Sequence, residues 1–425
     1  MAASTIKKGA EGSRPAAKKA PQKAAAPKKR AKREKDPNRI GFFYGKGSID
    51  VPMLVITVVL LVLGITMMFS ASHALSYRDN DGDSYSYAVS QMTFAAIGLV
   101  LMFIVSFVDY RLLRKELKIN VGGKELCFTF SHIALLLGLV LTFLVIPFGV
   151  SNFEGGPRRW LPFIGRTFQP SDVLKFSLII FFAYYIAKNY KKMRYTFTGL
   201  VKPALLLVVV TWLMLEQPHL SGLLIMLLIS ASMLFIGGVN MKTVIIIGSI
   251  AAALLVVAVM ASEFTYFGDR IKYTFDPLAD IGKKTYQSYQ AVLAIGSGGL
   301  WGVGFGNSAQ KYYYLPDAEN DFVFAILCEE FGFVGGAMVV LLFMIFVFRG
   351  FYIARKSEDR FGMLLATGIT LQVGIQALLN VGVNCCCVPN TGISMPFFSY
   401  GGTALVIQLV EVGLLMSVSR RAKLN

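Results

Sequence analysis

Tyr314-Leu315-Pro316-Asp317-Ala318-Glu319-Asn320-Asp321 runs directly into Phe322-Val323-Phe324-Ala325, the start of a long apolar run. Three carboxylates therefore sit where a polar segment meets hydrocarbon. A carboxylate in that setting is poorly solvated, which favours its protonated form and suits a general base or proton acceptor. The competing reading is a helix cap, with Asp321 or Asn320 accepting the first free N–H groups of the helix that follows.

The apolar run is one of many. The 425-residue chain is 55% hydrophobic and only 16% charged, with a mean hydropathy of +0.58, too apolar for an ordinary soluble enzyme. A helix needs about 20 residues to cross a hydrocarbon core. Stretches near that length recur at 51–71, 88–108, 130–150, 172–188, 199–215, 220–239, 242–262, 322–349, 362–384 and 401–418. The expectation is an all-α polytopic membrane protein with about ten transmembrane helices and a long extracytoplasmic loop, 263–321, between helices 7 and 8.

Lys and Arg set the orientation, because cytoplasmic loops retain positive charge. Every second connection is basic: Arg111 to Lys118, Lys188 to Arg194, Arg355 to Arg360, and the end at Arg420-Arg421-Ala422-Lys423. Asp79-Asn80-Asp81-Gly82-Asp83, on an alternate connection, is acidic. Both termini are expected in the cytoplasm and Asp321 at the outer face. Residues 1–47, rich in Lys, Ala and Pro, read as a disordered cytoplasmic tail, and 420–425 as a short cytoplasmic C-terminus. Acidic lipid headgroups are the alternative partner of that tail; no specific nucleic acid is implied. The first span can serve as its own targeting anchor. Cys385-Cys386-Cys387 lacks the spacing of a zinc site and reads as small packing residues.

Positive charge in an outer loop needs a reason. Gly156-Pro157-Arg158-Arg159-Trp160 is followed by Arg166, Gln169-Pro170-Ser171-Asp172 and Lys175. Paired Arg with a point-charge Lys suits phosphate oxygens. Internal pairing with Glu154 or Asp172 is the alternative, and for Lys175, inside an apolar run, so is snorkelling to the interface. The long outer loop adds Arg270-Ile271-Lys272, Tyr286-Gln287-Ser288-Tyr289-Gln290 and a glycine-rich passage, Gly296 to Gly306. That passage matches neither nucleotide-binding spacing, and it reads as a close approach to a ligand or as re-entrant structure. Glu329 and Glu330 lie about 12 to 14 Å along the helix from Asp321 and read as buried hydrogen-bond partners or cavity residues.

Taken together these motifs resemble the SEDS family (shape, elongation, division and sporulation), the polytopic peptidoglycan glycosyltransferases. The pieces that carry the resemblance are Gly156 to Trp160, Gln169 to Asp172 with Lys175, Gln217-Pro218-His219-Leu220, Tyr286-Gln287 with Gln290, Tyr314 to Phe322, and Thr391-Gly392 through Pro396-Phe397 to Ser399-Tyr400-Gly401-Gly402. Gly306 to Lys311 is more similar to the division branch, or its sporulation relative, than to the elongation branch. Asp317, Asn320, Asp172 and His219 depart from the residues usual in the family, and His219 is assigned no catalytic role.

The resemblance implies that Asp321 is the catalytic acid-base residue and that the outer cavity binds lipid II. Substrate-binding candidates are Arg158, Arg159, Lys175, Lys272, Gln287, Gln290, Lys311, Asp317, Glu329, Ser399 and Tyr400. It also implies a class B penicillin-binding protein, a transpeptidase, as partner, alongside other division proteins and membrane lipids, at the division septum of a bacterial cytoplasmic membrane. A divalent cation, Mg or Mn, is a candidate helper, though the sequence shows no dedicated metal cage. Two rivals from other classes are a lipid II flippase, which requires polar residues through the whole bundle, and a non-enzymatic division scaffold, which does not require Asp321.

Overall fold

Asp50 opens the first helix by accepting Met53 N–H on Oδ1 at 2.9 Å, with Pro52 beside it in the first turn, where a missing N–H costs nothing. This is α1, Val51–Asp79, and it ends where Asp81 and Gly82 take positive φ. The computed structural model describes residues 47–121, 124–151, 156–163, 166–239 and 285–422, with single positions 42, 245, 248, 249 and 278. The tail expected at 1–47 and the seventh span expected at 242–262 fall outside these but for a few single positions, and Lys272 and Glu154 lie outside altogether.

The remaining helices follow the apolar pattern. They are α2 Ser86–Phe107, α3 Phe130–Phe148, α4 Pro170–Tyr195, α5 Val201–Glu216, α6 Leu220–Ile236, α7 Tyr286–Gly298, α8 Val323–Lys356, α9 Arg360–Asn384 and α10 Gly402–Ser419. Two antiparallel hairpins join them: β1 Glu116–Val121 with β2 Lys124–Thr129, and β3 Leu161–Phe163 with β4 Arg166–Phe168. Among the described residues seven helices, α1 to α4 and α8 to α10, are long and apolar enough to cross a membrane, and α6 is a shorter apolar helix. The chain is an all-α polytopic membrane protein.

Without a hydrophobic drive between helices in lipid, close packing and interhelical hydrogen bonds hold such a bundle. At Gly413 of α10 a Cβ would stand 2.6 Å from the Met102 carbonyl of α2, so only glycine admits this approach. Polar bonds cross the bundle as well, from Ser70 Oγ of α1 to Glu330 Oε1 of α8 at 2.6 Å and from Gln91 Nε2 of α2 to the Ser399 carbonyl before α10 at 3.1 Å.

The connections sort into two ends. At one, the basic segments interlock: Arg421 pairs with Asp109 at 3.2 Å and Glu358 at 3.3 Å, Tyr110 and Arg114 both bond Asp359, and Lys188 pairs with Glu116 at 2.7 Å. At the other lie the motifs singled out above. The helix α6 ends at the basic end, where Gly238 faces the Tyr190 ring, whereas α7 starts at the opposite end, where Gln287 bonds Asp317 and Asn390.

The glycine passage proves to be part of the scaffold. Inside α8, Gly332 breaks the helical backbone at φ +66. The peptide groups around that break are met by the passage: Val303 and Gly304 N–H donate to the Glu329 and Glu330 carbonyls at 3.0 Å each, and Phe333 N–H donates to Gly299 O at 2.8 Å. These residues lie roughly 10 Å down α8 at 1.5 Å per residue. These bonds fasten the middle of the passage, Gly299 to Gly304, to α8.

Candidate active site

Three backbone turns and one helix fix the position of Asp321. Asp317, at φ +56, collects the N–H groups of Asn320 (3.0 Å), Asp321 (3.1 Å) and Phe322 (3.4 Å) on its carbonyl. The Asp321 carbonyl accepts Nδ2 of both Asn380 (2.8 Å) and Asn384 (3.0 Å) from α9. Asn384 Oδ1 in turn accepts Ala325 N–H at 3.1 Å. The N-cap residue of α8 is Phe322, which makes no side-chain cap bond, so α9 supplies the acceptor that Asn320 or Asp321 was expected to provide. The Asp321 side chain is half-buried, and a Cβ on Gly392 would lie 3.2 Å from its Oδ2. Gly392, at φ +70, thus places no side chain against Oδ2.

Gln287 of α7 ties this loop to the last connection. It donates to Asp317 Oδ2 at 3.2 Å and accepts from Asn390 Nδ2 at 3.0 Å. Ser399 Oγ donates to the Asn320 carbonyl, and Tyr400 N–H to the Glu319 carbonyl at 2.9 Å. Two of the expected substrate residues, Ser399 and Tyr400, therefore also hold the loop. Both line a polar cavity that continues inward past Gln376 and Lys175 to Gln372 and Gln408.

Lys175 is buried in that cavity and does not snorkel. Its Nζ meets Asp172 Oδ1 at 3.1 Å and Gln376 Oε1 at 3.3 Å, so the expected internal pairing exists alongside the cavity position. Deeper, fully buried Glu411 accepts from Gln372 Nε2. Arg158 is exposed, whereas Arg159 donates Nε to the Gln217 carbonyl at 3.3 Å and Nη2 to the Pro218 carbonyl. Beneath that turn His219 is buried, and burial, with Arg159 and Lys175 nearby, pushes it down to about 3. It is neutral at physiological pH.

Not every expected residue reaches the cavity. Lys311 is buried in an ion pair with Glu330 at 3.1 Å and also donates to Ser70 Oγ (3.1 Å) and the Gly306 carbonyl (2.6 Å). Glu329 accepts from Ser308 Oγ and from Ala309 N–H at 2.9 Å. Both belong to the fastening of the glycine passage and its continuation onto α8. Gln290 is buried on α7. Burial pushes the thiols of Cys385 and Cys386 up, and among the described residues no three His, Cys, Asp or Glu side chains converge on a metal position.

Glu319 was absent from the expected site. It is 8% exposed, and its Oε1 accepts from Asn320 Nδ2 at 3.1 Å. The signal available in the sequence was the crowding of three carboxylates into residues 317–321.

A multi-pass helical bundle in which Ser399 and Tyr400 both line a Lys-bearing cavity and fasten the loop that carries Asp321 defines a polytopic membrane protein with a buried, charged pocket. The chain belongs to the FtsW/RodA/SpoVE family of cell cycle proteins, which it matches over residues 51–424. It is 34% identical over 379 residues to stage V sporulation protein E of Bacillus subtilis, covering 89% of this chain and 99% of that one. To the probable peptidoglycan glycosyltransferase FtsW of Nitrosomonas europaea it is 33% identical over 389 residues, covering 89% and 94%. Among solved structures, a chain of a peptidoglycan synthase complex that coordinates polymerization and crosslinking superposes with a TM-score of 0.70 at 25% identity, covering 89% of this chain and 99% of that one. The rod shape determining protein RodA of Thermus thermophilus shares the fold at a TM-score of 0.63 and 24% identity, with the same coverage.

Proposed function

We propose that this chain is a peptidoglycan glycosyltransferase that polymerises lipid II, a disaccharide-peptide on undecaprenyl diphosphate, at the outer face of a bacterial cytoplasmic membrane. The observation that supports the reading is the placement of Asp321: an acid fixed through its backbone by Asn380 and Asn384, on a loop fastened to Ser399 and Tyr400, which line the cavity that holds buried Lys175.

In this mechanism Asp321 accepts the proton of the acceptor sugar's 4-hydroxyl as that oxygen attacks the donor's anomeric carbon. The bond to the diphosphate breaks in the same displacement, and the linkage inverts. Arg159, Lys175 and Lys272 supply positive charge to the departing diphosphate, so no general acid is required on that side. One base without a paired nucleophile fits a single displacement rather than a covalent intermediate. Ser399 and Tyr400 line the cavity assigned to the donor, while Gln287 and Asp317 brace the loop that carries Asp321.

The orientation that goes with this chemistry places both termini in the cytoplasm and Asp321 outside, with the basic interlocked end at the inner leaflet. A class B penicillin-binding protein that cross-links the strands, together with other division proteins at the septum, completes the assembly.

The test is lipid II polymerisation by the purified chain with its transpeptidase partner, cross-linking blocked, comparing the native protein with Asp321→Asn. The native protein is expected to make glycan strands and the folded variant none. Equal polymerisation by both overturns the base assignment. Absence of polymer from both, with lipid II crossing proteoliposome membranes, puts transport in its place.

A further inference from the structure

Three consecutive carbonyls, those of Glu319, Asn320 and Asp321, are each held by the segment from α9 to the start of α10. The donors are Tyr400 N–H, Ser399 Oγ, and the amides of Asn380 and Asn384. Glu319, whose carbonyl is the first of these, is itself buried, at 8% exposure.

The groups around that side chain are unfavourable to a charge. Asp317 stands on the same loop. At the end of α1 are Asp79 and Arg78, already paired with each other at 2.8 Å, and Arg78 also lies 5.0 Å over the Tyr313 ring. Tyr87 of α2 donates to Asp79 Oδ2 at 3.3 Å and packs edge-to-face on Tyr400 at 4.9 Å. Asn320 Nδ2 is the neutral donor to Glu319 Oε1. An ionised Glu319 would add a third negative charge beside two carboxylates whose nearest cation is committed, in a place with little water.

We propose that Glu319 is a positioning residue for Asp321: its carboxyl must be uncharged for the 319–321 peptides to seat on Tyr400, Ser399, Asn380 and Asn384, and its ionisation withdraws the base. The inference rests on the reading of Asp321 as the base. Burial, then Asp317 and Asp79, raise Glu319 to about 7, against the opposing influence of its own backbone N–H and Arg78, so the seated state belongs to neutral and mildly acid conditions. The side chain touches no reacting atom. Its effect is exerted through the peptide it shares with the loop.

The experiment follows polymerisation of lipid II by the full-length protein from pH 5.5 to 8.5, with hydrogen exchange of residues 312–322 recorded over the same range and expressed relative to the base-catalysed intrinsic rate at each pH. Native protein is expected to lose at least about threefold in kcat above neutrality, with KM nearly constant and exchange in 312–322 rising over the same interval. Glu319→Gln keeps the neutral shape, so its alkaline loss and its exchange increase should both disappear, with the rate at pH 6.5 within about twofold of native. Asp79→Asn, which removes a neighbouring negative charge, should move the exchange transition to lower pH. An alkaline loss that survives in Glu319→Gln, or an exchange transition unmoved by Asp79→Asn, overturns the proposal. If the native protein makes no glycan at any pH, the polymerase reading fails separately, and the exchange transition still decides whether Glu319 governs the loop.

Discussion

Asn384 holds Asp321 by its peptide and not by its carboxylate: Nδ2 of Asn384 lies 3.0 Å from the Asp321 carbonyl oxygen, while Oδ1 of the same amide accepts Ala325 N–H at 3.1 Å. One side chain thus caps α8 and sets the height of the acid above it. Asn384→Asp keeps the acceptor but loses the donor and sets two oxygens against each other. We expect kcat to fall by about tenfold or more with KM little changed, because misplacing the base affects the transition state more than binding. Asn384→Leu loses the cap as well and is expected to cost about 1–3 kcal/mol of stability, read from thermal melting in detergent. Unchanged kcat in Asn384→Asp would show that the peptide contact does not position the acid.

Lys175 has two roles that a double substitution separates. Lys175→Met leaves the half-buried Asp172 without its partner and is expected to lower stability by about 1–3 kcal/mol as well as activity. Adding Asp172→Asn removes the stranded charge, so melting should recover while polymerisation stays low. Recovery of both would reduce Lys175 to a structural partner.

A different outcome is expected for Lys311. Its ion pair with Glu330 is almost fully buried and serves the docking of the segment after α7 on α8. Lys311→Met should destabilise the fold, again by about 3 kcal/mol, and Lys311→Met with Glu330→Gln should regain much of that loss. The KM for lipid II in the double variant should match the native value. A KM raised about tenfold or more would return Lys311 to the substrate site.

His219 and Glu319 give stability opposite dependences on pH. His219, held down to about 3, stays neutral in the fold but takes a proton when unfolded below about 6.5. Its contribution is present above 6.5 and is lost as pH falls toward 3. Glu319, raised to about 7 from 4.5, binds a proton in the fold that the unfolded chain releases, so its contribution is present below 4.5 and is lost as pH rises through 7. Melting temperatures of His219→Asn should therefore fall less steeply than native below pH 6.5, while those of Glu319→Gln should fall less steeply between pH 5 and 7. Parallel curves for native and His219→Asn would show that the imidazole is not the buried neutral group described above.

Much of the bundle was legible because lipid imposes a length on apolar runs and a sign on the loops between them. The spans expected at 51–71 and 362–384 reappear as α1 and α9, with their ends moved by the caps Asp50 and Asp359. The hairpin of β1 and β2 was not foreseen, since Glu116–Thr129 mixes charged and apolar residues within a basic connection. The break at Gly332 was hidden for another reason: its φ of +66 is stabilised by partners thirty residues earlier, and no local pattern reports them. In the site, residue types pointed to Asp321 and Lys175. Direction was another matter. Lys311 and Glu329 turn toward the scaffold because serine, backbone and carboxylate partners lie there, and Glu319 turns inward because Tyr400 takes its carbonyl.

The clasp of Tyr110 and Arg114 on Asp359 lies at the start of α9, and the amides of Asn380 and Asn384 lie at its other end. That makes α9 a ruler between the two faces of the membrane, about 37 Å long at 1.5 Å per residue. Its register is therefore as constrained as its composition. One residue inserted midway would rotate the upper part by about 100°, swing both amides off the Asp321 carbonyl and leave the lower clasp intact.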